Sequence, residues 1–228
     1  MIRTCARRES VKSASPRKGL TRPAVARKVQ VYRQALFEEL AQVFPQVEMQ
    51  WTAETREGNS HFPNLDIAVG PAGSDRRHLD HWDSLLQSRA GLIYSLFNCH
   101  RTNLRNHGER EDQFSFHETC TGNRDAHWFL GFEFDAQTSS KAVIGGLLNA
   151  AALGRLGIAV ACTPQQLVAL VSARGYLLRL SSTEKRGLCP SNLLLVTAEQ
   201  VLACVGQEKM RPTGYNGSAR RGSAGRRG

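Results

Sequence analysis

The sequence predicts an α/β domain, a mixed β-sheet flanked by helices, set between two disordered basic tails. Three observations point there. Short apolar runs closed by Gly or Pro alternate with longer segments of helical spacing. From residue 127 onward that alternation becomes regular, which implies parallel strand pairs with helices packed on the sheet faces. The two ends, 1–29 and 207–228, carry charge without hydrophobic periodicity.

Taken in order, Val31, Leu36, Leu40 and Val43 recur near helical spacing, so a helix from Val29 is expected to stop before Pro45. Val47 to Thr52 alternates Val, Met and Trp with polar residues, as a half-buried strand does. Asn64 to Val69, closed by Gly70-Pro71, is a second strand. Ser74 or Asp75 can cap one long helix through Phe97, whose apolar positions include Leu79, Trp82, Leu85, Leu86, Ile93 and Leu96. Residues 98–126 read as a polar, irregular insertion. Trp128 to Asp135 is the best candidate for a central strand. Thr138 or Ser139 then caps a helix to Gly154, and Leu156 to Cys162 is a buried strand. Thr163 with Pro164 at the first helical position starts a helix expected to end at Gly175. Tyr176 to Leu180 and Asn192 to Val196 are expected strands, and Ala198 to Val205 a last helix. The domain therefore spans 30–206.

The chain of 228 residues has 41% hydrophobic and 22% charged residues, an ordinary globular balance that supports a substantial core. Net charge is +10 with pI ≈ 9.8. Of 30 Lys and Arg, fifteen lie in the two ends against two of the 20 acids, so 30–206 keep fifteen basic and eighteen acidic residues. The positive excess is in the tails, which can attract phosphates without sequence preference. The longest apolar stretch, Val143 to Cys162, is broken by Asn149 and Arg155 and by glycines, which excludes a membrane span. Cys5, Cys99, Cys120, Cys162, Cys189 and Cys204 form no CxxC pair, and with no signal peptide legible they read as reduced thiols of a cytoplasmic protein. The Arg- and Ser-rich, acid-poor N-terminus leaves a transit peptide open. Cys99-His100, His107, His117, Cys120 and His127 gather soft ligands, but only His117 and Cys120 have the spacing of a zinc knuckle.

Acid is hardest to explain structurally at Asp66, which interrupts Leu65, Ile67, Ala68 and Val69, and at Glu133 and Asp135, which alternate with Phe132 and Phe134. Residues i and i+2 of a strand project to one side, so Glu133 and Asp135 are expected to face together. Two neighbouring buried carboxylates cost several kcal/mol unless a cation offsets them. A hard divalent cation with oxygen ligands does so, whereas the bland alternative is an amphipathic strand with one wet face.

The order of a helix bearing Glu38 and Glu39, a strand, Pro63-Asn-Leu-Asp66, then Glu133-Phe-Asp135 on a later strand with a helix and strand behind it, resembles the PD-(D/E)xK nucleases, the restriction-endonuclease-like fold. Asn123 to Glu133, continued by Ser139-Ser-Lys141, Asn149-Ala and Leu153-Gly-Arg155-Leu-Gly157-Ile, is similar to a group of bacterial proteins with that core. The resemblance covers residues 30–165. It implies Mg²⁺ (or Mn²⁺) held by Asp66 and Glu133, a lysine two positions past the glutamate, and one further ligand from the first helix, with Glu39 the candidate.

This chain departs from the pattern at the lysine position, which holds Asp135. Lys141, in the first turn of the next helix, fits the variant in which the lysine has moved there. Two cleaving arrangements follow: Lys141 orients the attacking water, or Asp135 adds a ligand or acts as base. The implied function is a Mg²⁺-dependent endonuclease acting on DNA as partner, with a homodimer matching two-fold DNA symmetry. The alternative is an inactive module of the same fold that binds nucleic acid or a partner protein.

Overall fold

The computed structural model describes residues 21–52, 64–73, 78–109, 114–134, 139–182 and 190–211. Residues 1–20 and 212–228 of the two tails, the proposed caps Ser74, Asp75 and Thr138, and Asp135 lie outside them. The elements run α1 (Arg22–Ala41), β1 (Val47–Thr52), β2 (Asn64–Val69), α2 (His78–Ser88), α3 (Ala90–Asn106), α4 (Phe116–Thr121), β3 (Trp128–Phe134), α5 (Ser140–Leu153), β4 (Gly154–Ala161), α6 (Pro164–Ser181), β5 (Leu193–Thr197) and α7 (Ala198–Lys209). The strands form one sheet in the order β1-β2-β3-β4-β5. Its first two pairs are antiparallel and its last two parallel. An α/β chain with a five-stranded mixed sheet flanked by helices is therefore what the sequence builds.

Two apolar layers enclose the sheet. Ile67, Val69, Leu130, Phe132, Ile158 and Val196 pack under α1, α3 and α7. Ala159, Ala161, Leu193 and Leu195 pack on the other face under α5 and α6. Every residue of β4 is buried, as expected of a strand covered on both faces. Among the described residues, no helix is long and apolar enough to cross a membrane.

Five expectations from the sequence need correction. The first helix starts at Arg22, seven residues early, with a proline in its first turn; ahead of Val29 only Val25 packs against the core, too thin a signal for periodicity. The single helix expected up to Phe97 is two, separated at Arg89. There the guanidinium Nη2 donates to the Val43 carbonyl at 2.9 Å, holding the break against the end of α1. The stretch taken as irregular contains the end of α3 and all of α4, the latter closed by a Ser115–Glu118 capping box. Two of its polar residues, His100 and Asn103, are buried and paired with β5. His100 Nδ1 accepts from Leu195 N at 3.0 Å, and Asn103 Nδ2 donates to Leu195 O at 3.0 Å. The strand expected at Tyr176 to Leu180 is helical: α6 passes through buried Gly175 to Ser181, and a Cβ at 175 would come within 3.1 Å of Glu109 Oε1. The last helix extends past Val205 to Lys209.

Joining β3 to β4 brings α5 hard against the sheet. A Cβ at Gly157 would lie 2.6 Å from the Ala150 carbonyl carbon and oxygen and 2.8 Å from Ala151 N, all backbone atoms that cannot move aside cheaply. Gly157→Ala is expected to lower unfolding free energy by about 2–3 kcal/mol, read as a shifted midpoint in urea at unchanged slope. A midpoint equal to wild type would show that α5 does not pack as described.

Candidate functional site

The parallel strands β3, β4 and β5 end at one edge of the sheet, and antiparallel β2 begins there. Carboxyl-end edges of this kind are where α/β sheets place ligands. Asp66 sits in this edge at a break in strand alternation. Leu65 packs with Trp51, Ala68 and Trp128, while Ile67 and Val69 join the core on the other face. In a regular strand 65 would share a face with 67 rather than with 68. Gln50, which the β1–β2 register sets across from Asp66, has φ 53, the left-handed region, so both strands turn at this pair.

The turn sends the Asp66 carboxylate toward β3. Its Oδ2 accepts the Phe134 N–H at 2.7 Å, taking the place of a ladder carbonyl. Its Oδ1 accepts from Arg33 Nη1 at 2.6 Å, an ion pair with side chains only 19% and 12% exposed. A second polar group lies beside it. The Tyr32 hydroxyl donates to Glu199 Oε1 at 2.6 Å, and Lys28 Nζ stands 3.8 Å from the same oxygen and 5.3 Å from the Tyr32 ring centroid. The hydrogen bond to Glu199, then burial, pushes the Tyr32 phenol up to about 12. Burial pushes the Glu199 carboxyl up, but hydrogen bonds from Tyr32, its own backbone N–H and Thr197, with the Lys28 charge, outweigh it and leave Glu199 below the ordinary range. Cys162, just past β4, feels the same charges. Burial lifts its thiol to about 12, Lys28 draws it down, and Glu199 and Asp66 raise it.

The expected site residues are distributed as follows. The β2–β3 register pairs Ile67 with Phe132, and one further step sets Asp66 across from Glu133. The Asp66 carboxylate thus touches the backbone immediately after Glu133. The half-buried Glu133 side chain turns to the other face, over α5, where a Cβ at Gly146 would lie 3.9 Å from its Oε2. Lys141 is exposed in the first turn of α5. Glu39 Oε2 binds Lys209 Nζ at 2.6 Å, and Glu38 accepts from Gln34 at 2.8 Å. Asp135 lies outside the described residues. Among the described residues, no three His, Cys, Asp or Glu side chains gather closely enough to hold a metal ion. The Cys/His series disperses: His100 binds β5, His127 stacks on Trp51 at 4.9 Å, and Cys120 is buried.

The residues that sequence reasoning missed are Lys28, Tyr32 and Arg33 on α1 and Glu199 on α7. Their sequence signal is faint, since each is a polar residue at a helical position that reads as solvated. With Asp66 they give the edge alternating charges, cations from α1 set among carboxylates from β2 and α7, which suits a phosphate-bearing ligand better than an apolar one.

Tyr32 carries a measurable consequence. A phenol raised in the folded state stabilises the fold below its unfolded pKa and loses that contribution as pH rises from about 10 to about 12. Glu199, lowered in the fold, contributes above the ordinary carboxyl range and loses it as pH falls through its folded value. Tyr32→Phe should remove one late step from a spectroscopic tyrosine titration and move the acid unfolding transition to higher pH. A titration curve with the late step intact would assign it to another tyrosine.

Against protein-family models, curated proteins and solved structures the chain has no match, and its functional reading rests on the residues above.

Proposed function

We propose that this chain is a metal-dependent nuclease of the restriction-endonuclease-like type, hydrolysing phosphodiester bonds of DNA at the carboxyl edge of its sheet. The observation that supports the reading is the seating of the Asp66 carboxylate against the β3 backbone at Glu133–Phe134, in a chain that runs α1, β1, β2, α2, α3, α4, β3, α5, β4.

The donor chemistry fits a hard cation. Asp66 and Glu133 are both carboxylates, the ligand type Mg²⁺ and Mn²⁺ prefer, and because their side chains take opposite faces a cation shared by both requires the Glu133 side chain to turn from α5 toward Asp66. Arg33 balances the Asp66 charge; with a cation held by Asp66, the Arg33 guanidinium would be available to a phosphate oxygen. A bound metal supplies charge to the phosphate and an acidified water. Lys28 and Arg33 attract and orient the phosphate backbone. Lys141, free to swing in the first turn of α5, is the candidate for holding the water. The alternating charges of the edge keep unpaired phosphate attraction modest, and the basic tails add a salt-dependent contribution.

One observation favours a second reading. Both Asp66 oxygens already have donors, an arrangement that holds the edge together with no metal and suits a non-catalytic module that binds nucleic acid or a protein.

Plasmid nicking in Mg²⁺ or Mn²⁺ separates the two. Asp66→Asn keeps an acceptor for Phe134 N–H, so it isolates chemistry from folding better than alanine. Asp66→Asn and Glu133→Gln are each expected to cut nicking by at least about 100-fold, the scale of losing one electrostatic contributor to a transition state, with Lys141→Met also impaired. Equal nicking by wild type and variants would assign the activity to a contaminant. Absence of nicking, with no thermal shift on adding either metal, would establish the non-catalytic module.

A further inference from the structure

α3 and α7 lie antiparallel, and three contacts fix their register. Asn103 and Gln200 exchange side-chain hydrogen bonds at 2.8 and 3.0 Å. Far along the pair, the Arg211 side chain fills the space over Gly91, where a Cβ would overlap it. Between them, one turn back from Asn103 and one turn on from Gln200, Cys99 meets Cys204, and the two thiols share a hydrogen bond. The spacing of four residues on each helix is what antiparallel packing requires for consecutive contacts. Both cysteines belong to the core layer beneath the sheet, Cys204 only 6% exposed and Cys99 open on one side.

We propose that Cys99 and Cys204 are a dithiol oxidised by hydrogen peroxide to a disulfide that ties α3 to α7. The Cys99 thiolate attacks one oxygen of the peroxide and the O–O bond breaks. Sulfur loses two electrons to become a sulfenic acid, and the departing hydroxide leaves as water after taking a proton. The Cys204 sulfur then attacks the Cys99 sulfur, the S–O bond breaks, and the Cys204 proton leaves with that oxygen as a second water. One peroxide is reduced to two waters while two thiols become one disulfide.

The other described cysteines make this pair selective. The hydrogen bond from Cys204 holds the Cys99 thiol down at about 7 against the effect of burial, and its partner is raised in turn. Burial pushes Cys120 and Cys162 up to about 12, where little thiolate is present at neutral pH. Cys99, the more exposed of the two, is the nucleophile, and Cys204, buried against it, is the resolving thiol. The proposal is independent of the nuclease reading, because its readout is the covalent state of the sulfurs.

The test treats the full folded chain with hydrogen peroxide, blocks free thiols with N-ethylmaleimide and maps non-reduced peptides by mass spectrometry. The expected result is a Cys99–Cys204 linked peptide that disappears on adding dithiothreitol, with Cys120 and Cys162 unoxidised. In Cys204→Ser, Cys99 should stop at a sulfenic acid that dimedone captures. Should that variant fail to fold, the wild-type map decides alone. A map without the Cys99–Cys204 peptide, or one dominated by disulfides to Cys5 or Cys189, overturns the proposal.

Discussion

Two parallel strands side by side must be joined by a crossover, and in this protein the crossover is short at one end. α5 supplies fourteen residues, and its last, Leu153, is followed directly by Gly154, the first residue of β4. No loop intervenes, so the carbonyls at the helix end have no turn to receive them. Asn123 Nδ2 donates to Ala151 O at 2.8 Å and Gly154 O at 3.0 Å, and Asn192 Nδ2 donates to the same two at 2.8 and 2.9 Å. Two asparagines from different loops do the work of a C-cap. The same tight return presses Ala150 onto Gly157. Once this end is fixed, the other end of α5 is fixed too, and Ser139, Ser140 and Lys141 come to the carboxyl edge of β3.

That edge is where the strand geometry gives way. A ladder bond from the Phe134 N–H to a β2 carbonyl is replaced by one to a side chain, and the side chain is charged. Burying a carboxylate there calls for a cation, and Arg33 meets the need from α1. The break in alternation at Asp66 and the positive φ of Gln50 are the backbone's share of the arrangement. Local irregularity of this sort is found where a sheet holds something other than its own hydrogen bonds. The charge on Asp66 is thus a structural fact whatever its chemistry, which is why an isosteric amide, and not alanine, separates the structural role from the proposed catalytic one.

The sheet was legible in the sequence because its signals are strong and local. Short apolar or alternating runs located all five strands to within about two residues, and Thr163-Pro164 fixed the start of α6, where the threonine hydroxyl accepts from Gln166 N at 3.2 Å. The expected strand at Tyr176 failed because Gly175 looks like a helix terminator, although here it makes room for Glu109. The polar run after Phe97 read as irregular because His100 and Asn103 look solvated until β5 is known to receive them. Asp66 and Glu133 stood out, being acids in apolar runs, but the opposite faces their side chains take depend on a twist that no pattern in β2 announces. Arg33 and Tyr32 were invisible for a related reason: their partners lie 33 and 167 residues away.

α7 closes the argument, because it binds the parts of the helical layer that the sheet alone does not connect. Glu199 in its first turn reaches Tyr32 and Lys28 of α1, Gln200 locks to Asn103 of α3, and buried Glu208 near its end meets Arg89 at the α2–α3 break at 3.5 Å. Lys209 then returns to Glu39 of α1. A covalent bond between Cys99 and Cys204 falls midway along this helix, between the contacts that serve the carboxyl edge and those that serve the opposite end. Such a bond would limit how far α7 can slide past α3, and through the Glu199 contacts with Tyr32 and Lys28 it would restrain α1, which carries Arg33.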